Sequence, residues 1–298
     1  MAIVVAPRIS KQAASRLAEF AARYAPDVAV GAVDSYGFRA FNGPGLESLQ
    51  AEPDARPAFE ASASASSKNL FSALNQWLLK VLIAPDLPAS LIGAPRGEYK
   101  NASALAAAAD CSIMSAHRFV EQLRSEGFLD EDTRRLRLVR LLELFGRWSY
   151  AQPAGVSDIP LKMVIKRQLR ANIDRYFPRG RACLGLFAAA DELGVGFVSG
   201  VPPHVLVDSA SVLPGGMDAM PASQELLAVA NAEPDLIVRV ARAKKSVFRG
   251  AVRPREALCC DVIQTWLDVS NHGARGAEQA EYIWRNHLGR PLGILQNE

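Results

Sequence analysis

The chain has 298 residues, of which 49% are hydrophobic and 22% are charged, and its formal net charge is +3. This composition is typical of an ordinary soluble globular protein, and the length predicts two or three domains. A net charge this small does not by itself indicate a nucleic-acid binder, so local clusters of charge must carry that inference.

The sequence predicts a cytoplasmic protein without a metal or a cofactor. The N-terminus lacks the basic start and long apolar core of a secretory signal, and no stretch reaches the roughly 18 apolar residues of a membrane span. The four histidines are scattered, and the cysteines lack the paired spacing of zinc ligands. We expect reduced structural thiols at Cys111, Cys183, Cys259 and Cys260.

Residues 1–51 are predicted to form a small N-terminal helix-hairpin segment. Apolar residues recur at helical spacing from Ser10 to Tyr24, and a turn sequence separates the apolar stretches Val28 to Val33 and Gly37 to Phe41. Residues 52–67 are rich in proline, alanine and serine without periodicity, which predicts a linker and a domain boundary.

Residues 68–150 are predicted to form a winged helix-turn-helix domain. A first helix, capped by Ser67 or Asn69, carries a broad apolar face that includes Trp77. Asn101 or Ser103 caps a short second helix that ends at Ala109, and Ser112 caps a third helix. The apolar stripe of the third helix is predicted to consist of Ile113, Ala116, Val120 and Leu123.

The segment after this helix predicts a two-stranded wing. Gly127 ends the helix, residues 130–133 form a polar turn, and basic and apolar residues alternate from Arg134 to Arg140. A helix followed by a basic β-ribbon is suited to duplex DNA, because the helix reads base edges in the major groove while the ribbon contacts phosphates. We predict base-side contacts from Ser115, His117, Arg118 and Gln122, and phosphate contacts from Lys100, Arg134, Arg135 and Arg137.

Two alternatives for these basic regions remain open. Acidic residues such as Glu121 and Glu131 nearly balance the basic charge of the predicted winged domain, so it could serve only for packing or dimerisation. The stretch from Leu161 to Arg181 is the most basic in the chain, and it indicates either a second surface for phosphate or an acidic partner, or a solvated face.

Residues 151–298 are predicted to form an α+β domain with a mixed sheet backed by helices. We predict a helix from Ala182 to Leu193, and strands at Val205 to Val207, at Val212 to Leu213, at Asp235 to Val240 and at Val247 to Val252; a closing helix runs from Gly276 to Leu288. Three acids in or beside these strands, Asp208, Asp235 and Asp261, raise the alternative of a Mg²⁺-dependent nuclease, although no catalytic lysine follows at the usual spacing.

Two stretches resemble one known family. LNQWLLKVLIAPDLP leads into the predicted winged helix, and SVFRGAVRPREALCCDVIQTWLDVSNHGARGAEQAEYIW lies near the C-terminus. Together they resemble the winged-helix head and C-terminal region of AbiEi-type antitoxins of bacterial type IV toxin-antitoxin systems, over about residues 70 to 290. The resemblance implies a DNA-binding autorepressor, not an enzyme, whose protein partner is a nucleotidyltransferase-type toxin.

Taken together, these patterns predict a sequence-specific DNA-binding transcriptional regulator that acts as an antitoxin-like repressor, with double-stranded DNA as its main partner. The alternatives are an enzymatic α+β domain targeted by a winged helix and a module that only binds proteins.

Overall fold

The computed structural model describes residues 2–6, 11–34, 38–43, 46–50, 70–152, 158–230 and 232–295. The chain divides into two structural units, residues 1–67 and residues 68–298. Helices and two mixed sheets make up the described residues, which confirms the predicted α+β class. In this described part, no helix combines the length and the apolar character needed to cross a membrane. The predicted linker, residues 52–67, lies outside the described residues.

The first unit is one helix with a small sheet. The helix and hairpin of the prediction are present, and a further strand at the N-terminus was not predicted. This strand pairs in parallel with the first strand of the hairpin, whose own two strands are antiparallel. Ala14, Ala32 and Phe38 form its buried core. The elements are β1 (Ala2–Ala6), α1 (Lys11–Tyr24), β2 (Val30–Asp34) and β3 (Arg39–Asn42).

The second unit places helices around a five-stranded sheet. Its helices are α2 (Ala73–Ile83), α3 (Ala102–Ala109), α4 (Ile113–Ser125), α5 (Leu141–Tyr150), α6 (Leu169–Tyr176), α7 (Leu186–Leu193), α8 (Lys244–Gly250), α9 (Val262–Ser270) and α10 (Gly273–Ile283), the last followed by a π-helical turn (Trp284–Gly289). Its strands are β4 (Asp158–Met163), β5 (Ala182–Gly185), β6 (His204–Val207), β7 (Leu226–Ala228) and β8 (Leu236–Val240). The strand order is β5-β6-β8-β4-β7, with β6 and β8 parallel and the other neighbours antiparallel.

The predicted strands β6 and β8 are confirmed, but the predicted helix from Ala182 to Leu193 is wrong in its first part. Residues 182–185 form strand β5, and only Leu186 onward is helical. All four residues of β5 are buried. A strand covered on both faces is apolar throughout, so its sequence lacks the alternation that separates a strand from a buried helix.

Two predicted strands are helical. The stretch from Val247 to Val252 belongs largely to α8, which buries Ser246, Val247 and Gly250 at helical spacing. Gly250 is required there because a side chain at this position would collide with the carboxylate of Asp261. Val212 and Leu213 end a 3₁₀ turn, whose start is capped by the Oγ of Ser209.

Helix α2 begins later than predicted and buries a charge. Its N-cap is Ser72, whose Oγ accepts from the backbone N–H of Asn75 at 3.3 Å, rather than Ser67 or Asn69. The apolar face of α2 is buried as expected, but Lys80 lies within it with its side chain fully buried. Its ammonium donates to Asp261 Oδ2 at 2.7 Å and to the Ser246 carbonyl at 3.2 Å.

One hydrophobic cluster runs through the second unit. It includes Leu78 of α2, Phe119 of α4, Phe145 of α5 and Val238 of β8, so it continues across residue 150, where the sequence analysis separated two domains. The helices of residues 70–150, called the head below, therefore share one core with the sheet, and the buried pair of Lys80 and Asp261 joins α2 to the start of α9.

Candidate nucleic-acid interface

The turn between α3 and α4 is built by capping residues. Asn101 caps α3 by accepting from the backbone N–H of Ala104 at 2.9 Å, whereas Ser103 lies inside the helix. Asp110 ends α3 in the left-handed conformation, with φ of 48°. Ser112 then caps α4, because its Oγ accepts from the backbone N–H of Ser115 at 3.1 Å. Two helices joined in this way expose one side of α4.

We expect the substitution Ser112→Ala to lower the free energy of unfolding by about 1 kcal/mol, because it leaves an orphan backbone N–H at the start of α4. The matched control is Ser103→Ala, which removes an equivalent hydroxyl inside α3, where alanine favours the helix by up to about 0.5 kcal/mol. Urea unfolding followed by tryptophan fluorescence measures both changes. Equal losses for the two variants would contradict the assignment of Ser112 as the cap.

The buried side of α4 differs from the predicted stripe at one end. Ala116, Val120 and Leu123 are buried as predicted, and Phe119 joins them. Ile113, predicted to be in the core, is 60% exposed, and the neighbouring Met114 is 61% exposed. Ile113 is the first residue of the helix, directly after the cap, so it extends beyond the layer that covers the later turns.

The predicted wing is present only as a short antiparallel bridge. Leu129 pairs with Leu138, and the backbone N–H of Asp130 donates to Arg137 while that of Val139 donates to Phe128, both at 2.9 Å. Leu136 also donates to the Tyr99 carbonyl at 2.7 Å. The alternation of the sequence is real, since Leu136 and Leu138 are half-buried and Arg134, Arg135 and Arg137 are exposed.

The four predicted base-side residues fall into two pairs. His117 and Arg118 are exposed on the open side of α4. Ser115 is half-buried, and its Oγ accepts from the hydroxyl of Ser112 at 2.8 Å. Gln122 is half-buried and donates to Glu126 at 3.0 Å. Only His117 and Arg118 could therefore face a DNA groove without breaking a hydrogen bond within the protein.

Three of the four predicted phosphate contacts lie close together, and Arg137 lines a different cavity. Lys100, Arg134 and Arg135 line one cleft between the start of α3 and the bridged segment. Arg135 forms an ion pair with Glu98. Within the described part of the chain, Lys100, Arg118, Arg134 and Arg137 form no ion pair.

Most acidic residues of this head form ion pairs with arginines of the same chain. Arg124 binds both Glu121 and Glu131, Arg147 binds Glu126, and Arg249 of α8 binds Asp110. Because Arg124 and Arg147 belong to the same segment, these pairs use up basic as well as acidic charge, and Asp130 and Asp132 remain outside them.

Side chains of α2 and α8 donate hydrogen bonds to the turn between α3 and α4. Trp77 donates its indole N–H to the Ala109 carbonyl at 2.8 Å, and Arg249 donates to the same carbonyl at 2.7 Å. The guanidinium of Arg249 also lies 5.9 Å from the centre of the Trp77 ring. Residues 139 positions apart in sequence therefore fix the turn, and no local pattern indicated the role of Arg249.

The most basic stretch, Leu161 to Arg181, is largely compensated. Arg170 pairs with Asp191 at 3.0 Å, Arg175 with Glu225 at 2.6 Å, and Arg181 with Asp208 at 2.8 Å and with Asp218 at 2.9 Å. These cations stabilise the surface around the sheet, which favours the interpretation of a solvated face over that of a second phosphate-binding surface.

The carboxylates of the nuclease alternative have separate partners. Asp208 binds Arg181, Asp235 accepts from the backbone N–H of Met163 at 2.9 Å, and Asp261 is buried against Lys80. Among the residues that the structure describes, no group of three or more potential ligands could hold a metal ion. All four cysteines are free thiols, as predicted, and burial raises the pKa of Cys183, Cys259 and Cys260.

Comparison with known proteins adds no relative, because no family model, no curated protein and no solved structure matches the chain.

Proposed function

We propose that the protein is a sequence-specific, double-stranded DNA-binding transcriptional regulator whose reading head is a winged helix-turn-helix within residues 68–150. The observation that carries this proposal is the exposed side of α4, where His117 and Arg118 are open to solvent and form no ion pair among the described residues. Lys100 and Arg134, which also form none, line a cleft that α4 meets through Arg124. A helix on a three-residue turn, presented beside a short basic hairpin, is the arrangement that enters a major groove.

The exposed side chains suit the two parts of DNA recognition. Arg118 and His117 offer donors to base edges, and the exposed methyl groups of Ile113 and Met114 could pack against thymine methyl groups at the start of α4. Lys100, Arg134 and Arg137 are exposed and offer charge to phosphates, which supplies affinity without sequence preference.

Autorepression is the biological part of this proposal, and it rests on the resemblance to AbiEi-type antitoxins. In that case the protein acts in the cytoplasm, binds the promoter region of its own gene and counteracts a nucleotidyltransferase-type toxin. A co-transcribed neighbouring gene of that type, whose toxicity this protein suppresses on co-expression, would support the antitoxin role. A neighbour of unrelated type would leave a regulator without a toxin partner.

We expect Arg118→Ala to weaken binding to DNA from upstream of the protein's own gene by about 1–3 kcal/mol, because one base-side contact is lost. The control is Arg175→Ala, which removes an arginine that Glu225 already compensates, and its affinity should equal that of the wild type. Fluorescence anisotropy with labelled duplex at fixed salt measures both. Wild-type affinity for Arg118→Ala would refute the assignment of α4 as the reading helix.

The salt dependence of DNA binding separates the phosphate contacts from the base-side contact of Arg118. Each neutralised phosphate contributes a slope of about −0.9 to the dependence of log K on log salt, so Arg134→Ala should reduce the slope by about one unit. Arg135→Ala should change the slope less, because Glu98 already holds this guanidinium. An unchanged slope for Arg134→Ala, or a larger change for Arg135→Ala, would contradict the proposed orientation of the wing.

A further inference from the structure

Strand β1 of the first unit is an edge strand whose apolar side chains are exposed. It lies at one end of the three-stranded sheet, where its one partner among the described strands is β2. Ile3 is 49% exposed, Val4 is 45% exposed and Val5 is 75% exposed. Because side chains alternate along a strand, Ile3 and Val5 lie on one face of the sheet and Val4 lies on the other. Both faces of β1 are therefore open to a partner.

The pairing with β2 decides which backbone groups of β1 face outward. The two strands are parallel, and the backbone N–H of Ala2 donates to the Ala29 carbonyl at 2.8 Å. In a parallel pair every second residue turns its N–H and its C=O toward the neighbouring strand, so Ala2 and Val4 bond to β2. The N–H and C=O groups of Ile3 and Val5 therefore point to the open edge of the sheet.

The opposite edge of the same sheet, strand β3, is protected. Arg39 places an exposed charge on this strand, and the Nε2 of Gln50 donates to the Phe41 carbonyl at 3.1 Å. A 3₁₀ turn (Glu47–Leu49) also packs beside β3. In contrast, β1 contains no charged residue and no proline. It therefore lacks the features by which monomeric proteins prevent their edge strands from pairing.

The first unit buries little apolar surface on its own. Its hydrophobic cluster consists of Ala14, Ala32 and Phe38 among the described residues, and α1 packs on β2 and β3. A unit with so small a core is marginally stable, because little of its apolar area is removed from water. Extending the sheet at β1 would bury the exposed side chains of this strand and add to the stability of the unit.

We propose that β1 pairs with β1 of a second copy of this chain, antiparallel and about a two-fold axis at Val4, so that the two three-stranded sheets become one. In this register Ile3 of each copy lies opposite Val5 of the other, and the two residues exchange both backbone hydrogen bonds. Each outward N–H and C=O group of Ile3 and Val5 is then satisfied.

A second copy suits this edge for two reasons. Val4 lies opposite Val4 of the other copy, and no like charges meet because β1 is uncharged. An interface of this kind is also closed by its own two-fold symmetry, which is the commonest symmetry of soluble oligomers. The interface goes beyond DNA binding, and its presence does not depend on that activity.

Sedimentation velocity of the full chain tests whether the dimer exists. A pair of five-residue strands is smaller than a standard protein interface, so we expect a dissociation constant of about 1–100 μM. The wild type should therefore change from monomer to dimer as its concentration rises through this range. A chain that is still wholly monomeric at the upper end of the range would overturn the proposal.

Substitutions of Val4 test the two-fold register. Val4→Lys and Val4→Glu each place two like charges directly opposite each other, so each variant alone should dimerise at least about tenfold more weakly than the wild type. An equimolar mixture of the two variants brings opposite charges together and should recover the dimer. Wild-type affinity for either variant alone, or a mixture that stays monomeric, would overturn the pairing about Val4.

Two further variants distinguish the edge at β1 from the edge at β3. Val5→Pro removes an outward N–H but none of the hydrogen bonds between β1 and β2, so it should weaken the dimer while the first unit keeps its own sheet. The matched control is Arg39→Glu, which reverses an exposed charge on β3 and should dimerise as the wild type does. Wild-type affinity for Val5→Pro, or loss of the dimer in Arg39→Glu, would show that another surface joins the two copies.

Discussion

The substitution Lys80→Met should lower the free energy of unfolding of the second unit by about 3–5 kcal/mol, because it leaves the carboxylate of Asp261 buried without its counter-charge. Both side chains are fully buried, so water cannot replace the lost ammonium. Asp261 also accepts from the backbone N–H of Gln264 at 2.9 Å as the N-cap of α9, and this bond remains in the variant. We therefore expect a folded but strongly destabilised protein.

A double-mutant cycle separates the cost of leaving one buried charge unpaired from the net contribution of the ion pair to stability. Asp261→Asn keeps a capping side chain but leaves Lys80 charged, so it should be about as damaging as Lys80→Met. The double variant Lys80→Met/Asp261→Asn removes both charges and should recover most of the loss. Urea unfolding followed by tryptophan fluorescence is suitable because Trp77, Trp148, Trp266 and Trp284 all lie in the second unit.

The matched surface control is Lys166→Met. Lys166 pairs with Asp235 at 3.5 Å, and its side chain is 81% exposed, so its removal should cost no more than about 1 kcal/mol. A cost for Lys80→Met as small as that of this control would show that the buried pair does not stabilise the packing of α2 against the start of α9.

The second large effect concerns pH and involves two groups of opposite behaviour, the half-buried Asp268 and the buried His204. Burial raises the pKa of Asp268 from 3.8 to about 6, so the folded state holds a proton that the unfolded state has released. Its contribution to stability is present below pH 3.8 and is lost as pH rises to 6. The variant Asp268→Asn should therefore gain about 3 kcal/mol of stability at pH 7 relative to the wild type, with little gain at pH 4.

His204 changes the pH dependence of stability in the direction opposite to that of Asp268. Its side chain is 1% exposed, its Nε2 lies 3.9 Å from Asp158 Oδ2, and burial lowers its pKa from 6.5 to about 4. Its contribution to stability is present above pH 6.5 and is lost as pH falls to 4. The variant His204→Phe keeps the ring next to His272 and should lose stability less steeply than the wild type on acidification, by about 3 kcal/mol over this range.

Urea midpoints measured from pH 4 to pH 7.5 test both variants, and differences from the wild type cancel the titration of the remaining groups. In the wild type the two contributions oppose each other, so its own profile between pH 4 and 6.5 should be flatter than that of either variant. Profiles for Asp268→Asn and His204→Phe that run parallel to the wild type would refute the burial of both groups.

Local signals in the sequence were enough to predict the elements that depend on contacts between residues close in sequence. Asn101 and Ser112 cap the helices that the sequence assigned to them, and Trp77 is buried on the apolar face of α2. The strands β6 and β8 were predicted as well, because apolar residues form short runs between turn residues. Caps, turns and amphipathic faces depend on residues within one or two helical turns, so the chain alone determines them.

Tertiary structure decided the positions where a local preference was weak or was overridden. The fully buried strand β5 had no alternation to show its type, and α8 became a helix because Val247 and Gly250 pack against a neighbouring helix. Lys80 entered an apolar face because Asp261, 181 positions later in sequence, provides its counter-charge.

The candidate functional residues show the same difference between what the sequence determines and what the tertiary structure decides. The sequence determined which residues carry charge on α4 and on the bridged segment after it, but only the folded chain decided that Arg135 is paired while Arg134 is not. Gln76 of α2 and Gln264 of α9 line one cavity because long-range packing brings the two helices together. Contacts between residues far apart in sequence leave no periodic signal in the chain, so they are determined only when the core closes.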